Sequence, residues 1–588
     1  MDSSRHPFTF SLKEEPIENH RRLEIRVIGA GFSGIYLGIR VPQRLRNVNL
    51  KIYEKNERIG GTWWVNRYPG CACDVPSHSY QYSFVPNPDW SSFYAPQAEI
   101  QSYLQNVADR YGVMRFVSLG HEVQSCTWSA DTMKWHLKIC NLENGHVSDD
   151  EADVLISARG NLSLPTWPKL PGLETFGGEL MHSASWNANF DFKGKSIGVI
   201  GNGSSAIQIV PKLQKTEGSK LSCFVRSATW ITNPFGENII HKLSLDPQDP
   251  KFSNHQREEL ANSPEKLHAL RKAIEQDGNT VHAICMKNHD LHRSIAESTR
   301  AAMRSRLSSK PDIAEFLIPS FAVGCKRMTP GLGYLEALTA SNVDFFTDRI
   351  TKVTRRGVIL ESGRQVNLDC LVCATGFNTS GVPPFSIHGL NGISLAERFH
   401  PHPEAYLSLA VDGFPNFFIM AGPNSAVGSG SFTMILEAQG DYIVKCMRKV
   451  QKEDYAYMEI KKQQVIDWSE YCQSYFRTTV YTDDCESWYK SKGANGQQIT
   501  GLWPGSTLHA LEALRAPRWE DYNWENVPGV GNNMRWLGNG WSVTHLKCND
   551  QGDYGGDPSW YLEPEFQHVP LPGKPEEDPA FKKRPFSH

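Results

Sequence analysis

The chain has 588 residues, more than one hydrophobic core usually serves, so two or three domains are expected. With 61 basic residues against 64 acidic ones, a net charge of −3 and no long basic block, it lacks the cationic track that a nucleic acid partner requires. No run approaches eighteen uninterrupted apolar residues, and MDSSRHPFTFSLKEEPIENH at the N-terminus lacks the apolar core of a signal peptide. A cytoplasmic protein with no membrane insertion is the expectation, and its thirteen scattered cysteines then read as reduced thiols without a disulfide framework.

The first informative stretch is LEIRVIGAGFSGIYLGIR, an apolar strand, a glycine turn and an apolar-periodic helix, followed by the strand NLKIYEK. Gly29, Gly31 and Gly34 stand where a βαβ unit needs a tight turn, close approach to a pyrophosphate and close helix–strand packing. Glu54 lies 20 residues after Gly34, where a carboxylate accepts ribose hydroxyls and repels a 2′-phosphate. This site suits FAD or NAD.

The pattern then repeats in KSIGVIGNGSSAIQIVPKL, with Gly201, Gly203 and Ala206 at the fingerprint positions. Arg226 lies 20 residues after Ala206, and an arginine there grips a 2′-phosphate with its planar fork, the preference of NADPH. A ribose-diol site and a 2′-phosphate site in one chain make sense if NADPH delivers hydride to a flavin, so the first site is read as FAD.

DVLISARG (Asp153–Gly160) and DCLVCATG (Asp369–Gly376) share one pattern and read as the two crossings between nucleotide domains. The predicted fold is therefore α/β, with two Rossmann-like dinucleotide-binding domains, a helical insertion and an aromatic-rich C-terminal extension. The FAD-binding domain takes 1–165 and, with the extension, 369–572. The NADP-binding domain takes 166–235 and 318–368, a helical subdomain 236–317, and a disordered tail 573–588. SPEKLHALRKAIEQ marks the insertion, with Leu267, Leu270 and Ile274 on one face behind a Ser-Pro start. Residues 468–588 hold eight of the sixteen tryptophans, which argues for a packed extension. His400–Glu404, HPHPE, has prolines between its histidines and no third ligand in view, so it reads as a surface loop, and no metal is expected.

FGGELMHSASWN, with Phe176, Gly178, His182 and Trp186 in register, resembles the F-x-G-x-x-x-H-x-x-x-W fingerprint of Baeyer–Villiger monooxygenases. Asn187 departs from the Pro or Asp that the family usually places next. GGTWWVNRYPGCACDVPSHSYQYSF resembles the family's flavin segment, GCKRMTPGLGYLEAL its Lys-Arg segment, FPNFFIMAGPNS a flavin-proximal loop and ESWYK a late NADP contact. The resemblance spans residues 25–525.

It implies an FAD-dependent, NADPH-consuming enzyme that inserts one oxygen of O2 beside a ketone carbonyl through a C4a-peroxyflavin, giving an ester or lactone. The substrate implied is a bulky natural-product ketone; the oligomeric state is not readable. Arg327 matches the family's catalytic arginine, and Asp74 a carboxylate that orients it. Thr62, Trp63, Trp64, Val75 and Tyr80 match flavin contacts. On the nicotinamide side stand Ser204, Ser205, Ser227 and Trp488, with Lys326 joining Arg226 on the 2′-phosphate. His182 and Trp186 are read as hinge residues rather than chemical ones. Ser425–Met434, SAVGSGSFTM, is a candidate substrate wall. Two other readings stay open: a flavin-containing monooxygenase that hydroxylates nitrogen or sulfur, and a non-catalytic flavin- and nicotinamide-binding protein. A disulfide reductase is disfavoured, because Cys370 and Cys373 sit in a predicted strand and point to opposite faces.

Overall fold

A computed structural model describes residues 10–17, 21–493, 496–529, 531–542 and 559–562. The expected tail at 573–588 lies outside these. The chain divides into two compact units: residues 22–450 with 455–525, and residues 1–21, 451–454 and 526–588.

Both nucleotide folds lie in the first unit. Leu23–Ile28 pairs in parallel with Val48–Glu54 on one side and Val154–Ser157 on the other. Phe417–Ile419 and Val117–Leu119 complete this five-stranded sheet at its two edges. Successive side chains leave a strand on opposite faces, and here both faces are buried. Leu23, Ile25 and Val27 enter the main core with the helix Phe32–Arg44, whereas Ile28, Leu155 and Phe417 face a second cluster built on Trp128 and Trp135. A small mixed sheet, the antiparallel strands His121–Ser129, Lys134–Asn141 and Val147–Ala152 with Ser386–His388 parallel at one edge, supplies that second cover. The alternation in HEVQSCTWS and KWHLKICN is the sequence trace of these strands.

The second parallel sheet runs Val343–Phe346, Lys220–Phe224, Ser196–Ile200, Cys370–Cys373, Glu179–His182. Its inner face carries Ile197, Val199 and Val372 into the main core. Its outer face carries Phe224, Phe346 and Leu371 against another three-stranded antiparallel sheet, Ile350–Asn367. Cys370–Cys373, placed by the sequence reading at the head of the returning segment, pairs within this second sheet, so the chain crosses back only after it. Both cysteines are free and buried.

Between the halves of this sheet lie the helices Glu237–Lys242, Asn254–Asn262, Pro264–Thr280, Asp290–Arg306 and Pro311–Leu317. Ser263 caps the long Pro264–Thr280 helix by accepting from the Lys266 amide at 3.4 Å, and Leu267 and Ile274 are its buried residues. In the C-terminal region Trp503 is fully buried against Trp468, whereas Trp541 is exposed. In the other compact unit, the Ile17 amide donates to the Trp541 carbonyl at 3.0 Å and the Asn539 amide to Glu15 at 3.0 Å. No helix among the described residues is long and apolar enough to cross a membrane.

Two expectations are corrected. His400–Glu404 is not a surface loop: His402 is buried and its Nδ1 lies 2.6 Å from Ser491 Oγ, because the segment packs under the hairpin containing Ser491. The cysteines are not all reduced: Cys325 and Cys485 form a disulfide, their Cα atoms 6.3 Å apart. Folding brings together two residues 160 positions apart, which spacing could not announce.

Candidate active site

Both glycine turns adopt the geometry the spacing demands. Gly29 has φ +105°, and a Cβ there would lie 2.8 Å from the Ala158 carbonyl oxygen; a Cβ on Gly34 would lie 2.0 Å from the Gly29 carbonyl oxygen. Gly31 differs, since a Cβ on it would meet nothing nearer than Gly61 Cα at 3.7 Å. In the second turn Gly201 has φ +117° and a Cβ on Gly203 would meet nothing within 4 Å. The helices that follow, Phe32–Arg44 and Ser204–Gln214, have no side-chain cap and no acidic residue in the first turn. Their orphan amides are left for an anion.

Glu54 is buried at its strand end. Its Oε2 accepts from the Ala30 amide at 2.8 Å, and Oε1 accepts from the Asn56 backbone and side-chain nitrogens at 2.9 and 2.6 Å. A carboxylate has further lone pairs for a ribose. The segment after Gly61 packs onto the first turn: the Gly60 amide donates to Ala30, and the short helix Thr62–Val65 follows. Trp63 is buried and donates through Nε1 to the Tyr80 hydroxyl at 3.1 Å. Trp64 lies under Arg67, whose guanidinium carbon is 4.3 Å from a ring centroid, and Val75 packs against the main core.

Asp74 and Arg327, 253 residues apart, meet in a bidentate pair, Arg327 Nε to Oδ2 at 3.0 Å and Nη2 to Oδ1 at 2.6 Å. The Asp74 side chain is 16% exposed and that of Arg327 36%. Asp74 is the largest influence holding Arg327 protonated, against the opposing cost of burial. Tyr489, buried beside them, brings its hydroxyl up to Arg327; burial pushes its pKa up to about 12, with Arg327 pulling the other way.

Both members of the pair are tied to the helix of the second turn. Tyr68 donates to Gln208 Oε1 at 3.0 Å, and Gln208 Nε2 donates to the Ala72 carbonyl at 2.9 Å, so the helix of the second turn holds the segment that carries Asp74. On the other side, Ser204 Oγ of that turn lies 3.3 Å from Thr329 Oγ1, two residues after Arg327. Lys326 Nζ donates to Ser227 Oγ at 3.3 Å and to the Ala228 carbonyl at 3.2 Å; burial lowers its pKa, Glu486 opposes this, and the exposed Arg226 adds to the lowering. Ser205 and Ala206 lie in the first turn of the Ser204–Gln214 helix. Trp488, 39% exposed, lies edge-on to Tyr489 with ring centroids 4.6 Å apart.

The fingerprint residues fall elsewhere. His182 is fully buried between Trp167 and Phe377; its Nδ1 accepts from the Ala184 amide at 3.0 Å, and burial lowers its pKa. Trp186 packs on Phe192 and on Tyr68 of the Asp74 segment. Gly178 is fixed by packing, since a Cβ would lie 2.3 Å from the Asp369 carbonyl oxygen and 2.8 Å from the Phe176 ring.

Comparison with known proteins identifies the family. The family model "Flavin-binding monooxygenase-like" matches residues 22–240. The FAD-binding monooxygenase tazF of Aspergillus terreus is 37% identical over 552 residues, covering 92% of this chain and 95% of its own. A Baeyer–Villiger monooxygenase of Pseudomonas aeruginosa is 31% identical over 503 residues, covering 83% of this chain and 88% of its own. The chain belongs to the Baeyer–Villiger monooxygenases. An oxidised steroid monooxygenase bound to NADP superposes with a TM-score of 0.72 at 26% identity, covering 86% of this chain and 100% of that one.

This Baeyer–Villiger monooxygenase is a flavin-dependent enzyme that uses FAD and NADPH. Its residues fit both cofactors: the Cβ directions of Gly31 and Gly203 open into space that few or no protein atoms fill, beside uncapped helix N-termini. Sequence reasoning missed Tyr489, although it follows Trp488 directly in ESWYK, and it missed Gln208 and Thr329, whose side chains tie the turns together.

Proposed function

We propose that Arg327, oriented by Asp74, is the catalytic cation of this monooxygenase, with FAD seated on the first glycine turn and NADPH on the second. The observation that carries this reading is the bidentate Arg327–Asp74 pair, whose two segments are both tied to the helix of the second turn. FAD and NADPH, when bound, would supply the reducing power and oxygen activation for inserting one oxygen atom of O2 into a ketone.

The chain's own part is positional and electrostatic. Gly31 admits the pyrophosphate to the amides of the Phe32–Arg44 helix, Glu54 accepts from the ribose, and Thr62, Trp63, Trp64, Val75 and Tyr80 wall the flavin. Arg226, Ser227 and Lys326 hold the 2′-phosphate, Ser204, Ser205 and Ala206 the pyrophosphate side, and Trp488 covers the nicotinamide ribose. Asp74 occupies one edge of the Arg327 guanidinium, which leaves the remaining N–H groups to meet negative charge as it develops on the reacting oxygens. Tyr489 meets the same guanidinium with its hydroxyl. His182 and Trp186 act on the joint between the nucleotide folds.

The substrate class is a bulky ketone and the product an ester or lactone. Supporting this are the likeness to a steroid monooxygenase and the glycine- and serine-rich Ser425–Met434 segment, where Ser425 presents a buried hydroxyl without a hydrogen-bond partner. NADPH as electron donor supports a cytoplasmic setting. Mass spectrometry of products from a ketone panel supplied with NADPH and O2 tests the assignment: a ketone gaining one oxygen supports it, and NADPH consumption that never oxygenates any ketone overturns it.

A further inference from the structure

The Cys325–Cys485 bridge lies between two charged positions. Cys325 immediately precedes Lys326 and Cys485 immediately precedes Glu486. Lys326 feels both Glu486 and Arg226, so the bridge ties two sides of one charged patch together at the backbone. Lys490 stands over it, Nζ 3.6 Å from Cys325 Sγ and 3.1 Å from the Cys485 carbonyl oxygen. A cleft of about 350 Å³ lined by Cys485, Glu486, Lys492 and Gln497 adjoins the bridge on the Cys485 side, while both cysteines are themselves buried. The other cysteines among the described residues are free and buried.

We infer that Cys325 and Cys485 are a reversible redox site that exchanges with small-molecule disulfides and dithiols, and that its bridged form tightens the hold of Lys326 on the 2′-phosphate of NADPH. The second half rests on the 2′-phosphate reading above. In the reduced protein the Lys490 ammonium favours the Cys325 thiolate. Cys485, at the cleft, attacks one sulfur of a small disulfide; a mixed disulfide forms, the small molecule's S–S bond breaks, and one small thiolate leaves. The Cys325 thiolate then attacks Cys485 Sγ, forming the bridge and expelling the second small thiolate. Two protein thiols are oxidised, one small disulfide is reduced, and the two thiol protons pass to the departing thiolates. A dithiol reverses the sequence. In an NADPH-rich compartment, where persistent structural disulfides are rare, reversible exchange is the use to which such a bridge is suited.

The bridge acts on Lys326 through the backbone. Two hydrogen bonds, at 3.3 and 3.2 Å, hold its side chain while the bridge fixes the backbone beneath it, so without the bridge the phosphate must itself order that backbone. That cost corresponds to about a two- to tenfold weaker affinity. Glu486 does not cancel the gain, because it is committed to Lys492 at 2.7 Å.

The test uses the FAD-loaded enzyme, incubated with excess oxidised glutathione or with dithiothreitol. Non-reducing peptide mass spectrometry reads the bridge, and the Kd of NADP+ reads the grip. The expected result is a Cys325–Cys485 peptide pair only in the oxidised sample, and a Kd for NADP+ that rises about two- to tenfold on reduction, with the KM for NADH unmoved. Cys485→Ser and Cys325→Ser, checked for full flavin content, should both bind NADP+ like the reduced wild type under either condition. Absence of the bridged peptide overturns the redox site; a bridge that forms and leaves the Kd unchanged overturns its effect on NADPH. If Arg226→Ala binds NADP+ as tightly as wild type while the bridge still forms, the 2′-phosphate reading fails and the exchange site stands.

Discussion

Arg327→Ala removes the side chain that pairs with Asp74, and with it the charge assigned to the reacting oxygens. Two losses follow, and they separate by size. Catalytically, removing one preorganised donor from a water-poor site costs about 10²- to 10³-fold in rate. Structurally, Asp74 keeps a carboxylate that is 16% exposed with its two charge-assisted bonds gone. Breaking a fully buried pair costs about 3–5 kcal/mol, but Arg327 is about one-third exposed and solvent screens it, so about 1–2 kcal/mol is expected here. The variant should therefore fold, retain FAD and melt somewhat earlier, while ester formation falls by at least two orders of magnitude, about 10². The NADPH it still oxidises should appear as hydrogen peroxide. Arg327→Lys should recover only part of the rate, because an ammonium cannot hold both Asp74 oxygens with a planar fork and still face the substrate. Rapid-mixing absorbance follows flavin reduction, and mass spectrometry follows product. An alanine variant that makes ester at nearly the wild-type rate would refute the assignment of Arg327.

Arg226→Ala should raise the KM for NADPH by about tenfold, the value of one charge-assisted contact, and leave that for NADH within about twofold, as steady-state kinetics with both coenzymes will show; equal losses with both would make the arginine structural. Gly31→Val should yield protein without copurifying flavin, read from the absorbance spectrum, because the side chain would fill the space left for the pyrophosphate; full flavin content would contradict the first-turn reading. His78 is buried, and burial with Arg271 lowers its pKa from 6.5 to about 3. The unfolded chain therefore binds a proton that the folded one refuses, and stability should fall as pH drops from about 6.5 towards 3. Thermal melts of His78→Phe, whose ring can keep the edge-on contact with Phe252, should show a shallower acid slope than wild type; an identical slope would show that His78 carries none of it.

The parts of the molecule that a local pattern encodes were legible before folding. The two glycine turns, the acid at Glu54 and the base at Arg226 are fixed by spacing within single βαβ units, and Asp74 and Arg327 were reachable through resemblance of the segments that contain them. What local pattern does not encode is which distant segments meet. Tyr489 reaches Arg327 from 162 positions away and Cys485 reaches Cys325 from 160, and neither distance leaves a periodic trace. The cover on the first parallel sheet did leave one, in the alternation of HEVQSCTWS and KWHLKICN, which the reading by nucleotide turns did not use. His402 misled for the opposite reason: prolines signal a loop, and this loop is covered by another.

Gln208 has a mechanical role that its chemistry makes unusually strict. One amide both accepts from Tyr68 and donates to Ala72, so it works as a latch with two unlike teeth. Turned over, its nitrogen could still meet the Tyr68 hydroxyl oxygen, since a hydroxyl both donates and accepts, but its oxygen would face the Ala72 carbonyl and the Ala72 amide would lose its acceptor. Two of its three contacts to the strip carrying Asp74 therefore require one orientation of the amide.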